Sequence, residues 1–420
     1  MIVVLAVLHC LAFIDRTMIG GALPLMRLNI AMSDAQAGWI IGTAFALPYG
    51  VTALALAAIL RGRRASLWWL VAGLVLWTAA SLATGTAHSI GALTLARAAL
   101  GVGQAMFVPV AISWLIDDTS PKDRARALSL FTSGSTIGRS VALLTVGALL
   151  SVLAMVARGG DGASGNGSTD WRWLYAITAL PNLLTLPFLV RVGLRPPRSE
   201  SATGTISDMP PCSEAVQIDW VTLALFFAVA IMPVLVIQAI GGWLPSLFVR
   251  DRGLTPAHAA MLLGAVTLVA APAGQITGGW LMTRYTAWHD RIPVIVLAGL
   301  AATLLPLAAV IWAPGLGGAI AGVAIANISL GIASFAGLFG VQMLTPQSHR
   351  VTVNAVFLAL VTLIGVGVGP LLTGVLATSH AGAIEDTSLG VALFLTAAIA
   401  CGLCAIAVGG VDRRYRLALR

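Results

Sequence analysis

Charge is what this chain has least of. Only 10% of its 420 residues are Asp, Glu, Lys or Arg, against about 25% in a soluble globular domain. Hydrophobic residues make up 58% and the mean hydropathy is +0.95, which excludes a soluble core wrapped in polar surface and leaves a polytopic membrane protein. Lysine is nearly absent, Lys122 being the only one. With the abundance of alanine, that bias toward arginine points to a GC-rich bacterial genome and hence to an inner membrane. Acidic residues number 16 against 24 basic ones, a net charge of +8. The basic residues gather in short loops between apolar runs, so no nucleic-acid partner is expected. Cys10, Cys401 and Cys404 lie in apolar runs and Cys212 in a polar one, which gives neither a disulfide framework nor a metal-ligand set. The CxxC spacing of Cys401 and Cys404 has no thioredoxin-like surroundings and reads as small packing residues on one helix face. The sequence has no hydrolase elbow, P-loop, zinc signature or Rossmann glycine run. Neither an enzyme nor an ATP-driven pump is expected, and no cofactor or metal. The Asn166-Gly167-Ser168 sequon carries no glycan in a bacterial protein.

What is present is a succession of long apolar runs. At about 20 residues per span, they place twelve helices at 1–24, 34–60, 67–87, 90–116, 125–157, 171–191, 219–248, 256–283, 292–313, 317–343, 351–378 and 387–410. The first has no basic leader or cleavage site and is read as a retained helix. The long polar stretch after helix 6, rich in Pro, Ser and Thr, reads as a linker. The expected organisation is therefore an N-terminal six-helix bundle at 1–191, a linker at 192–218 and a C-terminal six-helix bundle at 219–420. Sixteen Lys and Arg residues fall on the side of the termini and five on the other, which places both termini and the linker in the cytoplasm.

The two halves look like parallel repeats. Ser33-Asp34-Ala35 opens helix 2 as Thr255-Pro256-Ala257 opens helix 8. Pro121 with Arg124 and Arg126 precedes helix 5 as Pro346 with His349 and Arg350 precedes helix 11. Both correspondences share an offset of some 220 residues.

Four ionisable residues interrupt the apolar spans: Asp15, Arg16, Arg97 and Arg139. Each costs about 2.5–3.5 kcal/mol at the bilayer centre on insertion scales, so a function should offset it. Counting 1.5 Å per residue puts Asp15 and Arg139 about 22 Å deep, Gln104 about 18 Å and Arg97 about 28 Å. Arg97, Gly101 and Gln104 share a helix face. Asp15, the only carboxylate in a span, is the candidate proton carrier with Arg97 its partner; the alternative is a static pair holding helices 1 and 4 together. Three arginines against one aspartate leave positive charge that a carboxylate or phosphate would balance through bidentate hydrogen bonds. Arg16, Arg97, Gln104 and Arg139 are therefore candidate substrate contacts, with snorkelling toward the interface as the alternative for Arg139. Gln238, Trp243, Asn327 and Asn354 are candidates to line the C-terminal side of a cavity, or to satisfy one another between helices. Gly134 and Gly138 of helix 5, and Gly365, Gly367 and Gly369 of helix 11, suggest a moving interface between the halves.

Arg97, Gly101, Gly103 and Ala105 fit a pattern R-x-x-x-G-x-G-x-A. It resembles helix 4 of the Major Facilitator Superfamily, and the resemblance runs through nearly the whole chain. Phe13-Ile14-Asp15-Arg16, Ser33-Asp34-Ala35-Gln36-Ala37-Gly38, Trp243-Leu244-Pro245-Ser246 and Leu363-Ile364-Gly365-Val366-Gly367-Val368-Gly369-Pro370 are similar to its Spinster-like branch, associated with lysophospholipid and sphingolipid transport. The resemblance implies an all-α membrane fold of two pseudo-symmetric six-helix halves. It also implies a helix 4 arginine linked to proton coupling, and a secondary transporter for an amphipathic lipid-like or organic anion. Expected partners are that small-molecule or lysolipid substrate, protons and membrane lipids, with a monomeric chain. Two departures stand out. Ala58-Ile59-Leu60-Arg61-Gly62-Arg63-Arg64 lacks the aspartate of the family's loop between helices 2 and 3, and Gln104 stands where Spinster-like members often have glutamate. The alternatives are a small organic-anion/proton symporter of another branch, or a non-transporting receptor or scaffold that keeps the fold.

Overall fold

A computed structural model describes residues 1–60, 66–119, 123–159, 171–194, 219–346, 349–380 and 388–418. Arg61, Arg63, Arg64, Lys122, Cys212, the sequon and nearly all of the expected linker lie outside them. Among the described residues, twelve helices are long and apolar enough to cross a membrane. Helix 1 is Ile2–Asn29, helix 3 Leu67–Gly85, helix 4 Ile90–Asp118, helix 5 Arg124–Gly159 and helix 6 Arg172–Gly193. Helix 7 is Trp220–Arg252, helix 8 Pro256–Arg284, helix 10 Leu316–Met343 and helix 12 Ser388–Ala418. Helix 9 enters through a 3-10 turn, Thr286–Arg291, and is divided into Ile292–Ala301 and Leu304–Trp312. Pro306 explains the division, because it offers no N–H to the carbonyl four residues back.

The helix starts are written in the local sequence. Ser33 forms a capping box with Gln36, Ser89 accepts from Ala92 N, and Thr255 accepts from His258 N ahead of Pro256. Both members of the expected repeat pair, Ser33 and Thr255, therefore cap their helices. Asp219, fully exposed, accepts from Val221 N, Thr222 N and the Thr222 hydroxyl, and these bonds hold its carboxyl below the usual range. Helix 7 stops at Gly253, whose φ of +62° is the left-handed conformation that glycine adopts without strain.

Helices 2 and 11 are not regular. Helix 2 runs Asp34–Gly38, then a π turn Trp39–Thr43, then Ala44–Ile59; helix 11 runs Arg350–Leu360, a π turn Val361–Val366, then Gly367–His380. Each π turn sits just before a proline, Pro48 or Pro370, whose ring crowds the carbonyl four residues earlier. Widening the helix there relieves the crowding.

Close packing follows the small residues. Helix 4 lies between helices 2 and 3 because Gly101 backs onto the Phe45 carbonyl, while a Cβ at Gly103 would sit 2.7 Å from Trp77 N. The glycines of helix 5 correct an expectation. Gly134 and Gly138 press on Ala6 and Cys10 of helix 1, inside the first half, and it is Gly147 that meets Ala257 and Met261 of helix 8. In helix 11, Gly365 and Gly369 likewise back onto helix 7 of their own half, and Gly367 alone of the three faces helix 2.

The halves meet tightly at the face opposite the termini. Gly38 and Gly42 of helix 2 lie against Pro370 and Val366 of helix 11, and Gly20 of helix 1 lies against Gly241 of helix 7. Thr43 Oγ1 donates to Gly367 O at 2.7 Å and Ala35 N to Thr378 Oγ1 at 2.9 Å. Asp34 receives Arg27 from its own half and a fork from Arg250 of the other, at 2.7 and 3.2 Å. This distal seal closes the bundle on one side.

Asp34→Asn leaves two guanidinium groups facing a neutral amide. A part-exposed ion pair contributes about 1 kcal/mol, so the distal-open fraction is expected to rise about fivefold. Spin labels at the exposed positions Ala31 and Ser379 would read this as growth of a long-distance population; an unchanged distribution would deny Asp34 a latching role.

Candidate functional site

At mid-depth between the halves lies a cavity of about 1050 Å³, its open mouth included. Helix 1 contributes Phe13, Arg16 and Thr17, and helix 5 contributes Thr136 and Arg139. The opposite wall carries Gln238 of helix 7, Gln275 of helix 8 and Asn327 of helix 10. Gly20, Ile41, Gly241 and Pro370 form its end toward the distal seal. The wall from the first half is cationic and aromatic, the wall from the second carries neutral amides, and no carboxylate is among the lining residues. Gln275 was open to the same reading that singled out Gln238, a polar amide in an apolar span, and sequence reasoning missed it.

The two cavity arginines are held differently. Arg16 directs Nε and Nη2 at Gln104 Oε1 (3.2 and 3.0 Å) and lies 4.4 Å from the ring centroids of both Phe13 and Phe45. Gln104 is fixed in turn by donating to Ala12 O at 2.8 Å. It therefore works as a clamp on Arg16 and does not line the cavity. Arg139 is half-buried, sits 5.7 Å from the Phe13 ring centroid and has no hydrogen-bond partner among the described residues. A guanidinium with five donors in a low-dielectric cavity and only a π face beside it is a ready-made anion contact.

Arg97 lies behind the cavity. Only 1% exposed, it donates to Ile40 O (3.1 Å), Ile41 O (3.2 Å) and Arg16 O (3.4 Å). These bonds satisfy backbone carbonyls at the π turn of helix 2 and tie helices 1, 2 and 4 together. Asp15, also 1% exposed, points away from the cavity as well, and Asn182 Nδ2 of helix 6 donates to its Oδ2 at 2.7 Å. Ser81 and Trp77 of helix 3 face the same carboxyl. The four intramembrane charges thus separate: Arg16 and Arg139 face the cavity, Asp15 and Arg97 lie in the core of the first half. Depth counting predicts their similar heights but not their directions.

Of the C-terminal candidates, Gln238 and Asn327 line the cavity, the latter donating to Val323 O at 2.9 Å. Trp243 is fully buried and donates its indole N–H to Pro370 O at 2.9 Å, joining helix 7 to helix 11. Asn354 accepts from Gln342 Nε2 at 2.7 Å, away from the cavity lining. Asn182, Ser81 and Trp77 are polar groups near Asp15 that sequence reasoning passed over, although each interrupts an apolar span.

Known proteins bear on this arrangement. Residues 5–363 match the family model of the Major Facilitator Superfamily. An MFS-type efflux pump of Mycolicibacterium smegmatis is 24% identical over 98% of this chain and 92% of its own length. The uncharacterized MFS-type transporter EfpA of Mycobacterium tuberculosis is 30% identical over half of this chain, and the match spans 37% of that longer relative. In fold, the chain superposes on a bacterial homologue of the human lysosomal transporter Spinster, in an inward-facing, occupied conformation. The TM-score is 0.76 at 24% identity, covering 100% of this chain and 93% of the other. A family match of that reach, with twelve membrane-length helices and no strand among the described residues, makes this chain a member of the Major Facilitator Superfamily and a multi-pass membrane transporter, not an enzyme.

Proposed function

We propose that the protein is a proton-coupled secondary transporter that moves an amphipathic organic anion, with a lysolipid-like molecule bearing a phosphate or carboxylate head group as its substrate class. The observation that carries this reading is Arg139, unpartnered in the cavity beside a clamped Arg16, with no carboxylate on the wall to neutralise them. An anionic head group would supply the missing charge through bidentate hydrogen bonds. Apolar wall residues such as Leu143, Ile237 and Leu263 would cover a hydrocarbon portion. The similarity to the Spinster-like branch supports this choice. The chain acts as a monomer in the bacterial inner membrane, surrounded by membrane lipids, with both termini cytoplasmic as the arginine bias predicts. On that orientation the sealed distal face is the outer one. The bundles at 1–191 and 219–420, joined through 192–218, rock about the cavity so that the seal opens as the opposite side closes.

Coupling runs along helix 1. Asp15 and Arg16 are neighbours, so the carboxyl and the substrate-facing guanidinium share one stretch of backbone. Arg97 holds the Arg16 carbonyl. Protonation of Asp15 exchanges an ionised acceptor of the Asn182 amide for a neutral one, which weakens that bond. The middle of helix 1 is then free to rotate, carrying Arg16 with it.

Two variants test this in proteoliposomes. Arg139→Ala is expected to weaken binding of lysophosphatidic acid about 30-fold, the loss of one charge-assisted contact, with Arg139→Lys intermediate; equal affinity in all three would remove Arg139 from the site. Asp15→Asn is expected to abolish uptake or efflux driven by a pH gradient while sparing exchange of labelled for unlabelled substrate. Gradient-driven transport at the normal rate in that variant would sink the coupling role. Benzoate in place of the lysolipid distinguishes a small organic-anion symporter, which would prefer it.

A further inference from the structure

Behind Asp15 the core of the first bundle holds a concentration of polar atoms that the substrate cavity does not use. Asp15 Oδ1, Trp77 Nε1, Ser81 Oγ, Tyr175 Oη and Asn182 Oδ1 are all buried and complete no hydrogen bond of good geometry among the described residues, with Trp77 and Ser81 turned toward the Asp15 carboxyl. Their side chains are at most 2% exposed. In a membrane interior, unpaired groups of this kind carry a full desolvation penalty unless something enclosed with them makes the bonds. They come from three helices and converge. Trp77, Ser81 and Gly85 are spaced by four along helix 3, and Tyr175 and Asn182 are seven apart on helix 6, so each set occupies one helix face. A Cβ at Gly85 would lie 3.2 Å from Tyr175 Cβ, which sets the level at which the two faces meet. From Asn182 to Tyr175 the column is about 10 Å long.

We propose that Asp15, Trp77, Ser81, Tyr175 and Asn182 enclose an internal water site, a hydrogen-bonded chain that brings protons to Asp15 from the distal face without entering the substrate cavity. The inference rests on the reading of Asp15 as the proton carrier and adds the route. The chemistry of the set selects water. Asp15 Oδ1 and Asn182 Oδ1 accept, Trp77 N–H donates, and the Ser81 and Tyr175 hydroxyls do both, which matches a molecule that gives and takes hydrogen bonds. A bare cation would face the Trp77 N–H and the nearby Arg97 guanidinium. The charged and titratable groups facing Asp15 are Arg97 from helix 4 and Tyr175 from helix 6, with Arg16 beside it on its own helix.

At its distal end the column meets Trp171, fully buried, which packs edge-on against Tyr175 with ring centroids 6.0 Å apart and donates its indole N–H to Asn29 Oδ1 at 2.9 Å. That pair closes the column, and its separation admits a proton. One proton enters at the Tyr175 hydroxyl, each oxygen passes on the one it held, and one proton arrives on Asp15 Oδ1. The hydroxyls and waters end as they began. Trp77 gives up no proton and orients the chain.

The test is infrared difference spectroscopy, acid minus neutral, on the full chain in proteoliposomes, comparing wild type with Asp15→Asn, Tyr175→Phe and Ser81→Ala. Wild type should show a carboxylic C=O band that Asp15→Asn removes. In Tyr175→Phe and Ser81→Ala the band should persist, with its exchange into D2O slowed about tenfold, as expected for one missing link. Ser81→Ala is the milder change, and the band itself reports whether each variant is folded around Asp15. Wild-type exchange rates in both variants, with the band still lost in Asp15→Asn, would overturn the water route and leave the coupling role standing. A band that survives Asp15→Asn would overturn both.

Discussion

Helix 2 carries a π turn within its membrane span, and the way the backbone carbonyls there are held organises the rest of the structure. The π turn Trp39–Thr43 interrupts the regular ladder where the bilayer offers no water to replace the missing bonds. Arg97 fills that role, its guanidinium reaching Ile40, Ile41 and the Arg16 carbonyl. Three helices are thereby fixed at one point. Beside it, Gly38 and Gly42 carry helix 2 into backbone contact with helix 11. The arginine that resemblance alone would place in proton chemistry is here also a structural hub.

From that hub the first bundle divides its labour by direction. Adjacent residues on an α-helix point about 100° apart. Asp15 therefore turns into the bundle core while Arg16 turns to the cavity between the halves. The two charges therefore point to different surroundings although they are neighbours in the chain. Helix 1 carries both, and Gln104 and Asn182 are the two amides that hold its faces in place. Helix 5 adds Arg139 to the cavity while Gly134 and Gly138 press it against helix 1, so the two cavity arginines move as one body.

Much of this was legible in the sequence. The twelve spans follow from apolar length, the starts of helices 2 and 8 from their capping residues, and the importance of the intramembrane charges from their cost. What stayed hidden was azimuth. Depth counting gives a height along the membrane normal, but a residue at the right height can face any of several neighbours. The expectation that Trp243 and Asn354 line a cavity failed on that point alone, whereas Asp15 and Arg97 do share the core of the first half, each held by other hydrogen-bond partners. The π turns were hidden for a related reason: a proline marks where a helix is disturbed, not how it recovers. The helix 5 glycines were misassigned because small residues announce close approach without naming the partner.

The π turns have one further consequence. A π turn places one more residue in a turn than an α-helix does, so it behaves as a single-residue insertion absorbed within the helix. Everything after Thr43 in helix 2 is set in a reading frame shifted by that residue. Excising one residue between Trp39 and Thr43 would restore a regular helix and swing Ala44–Ile59 by about 100°, carrying Phe45 off Arg16 and turning a lipid-facing stripe toward the protein. The phase of helix 2 is thus a discrete quantity, counted in whole residues, and the contacts of the cavity depend on that count.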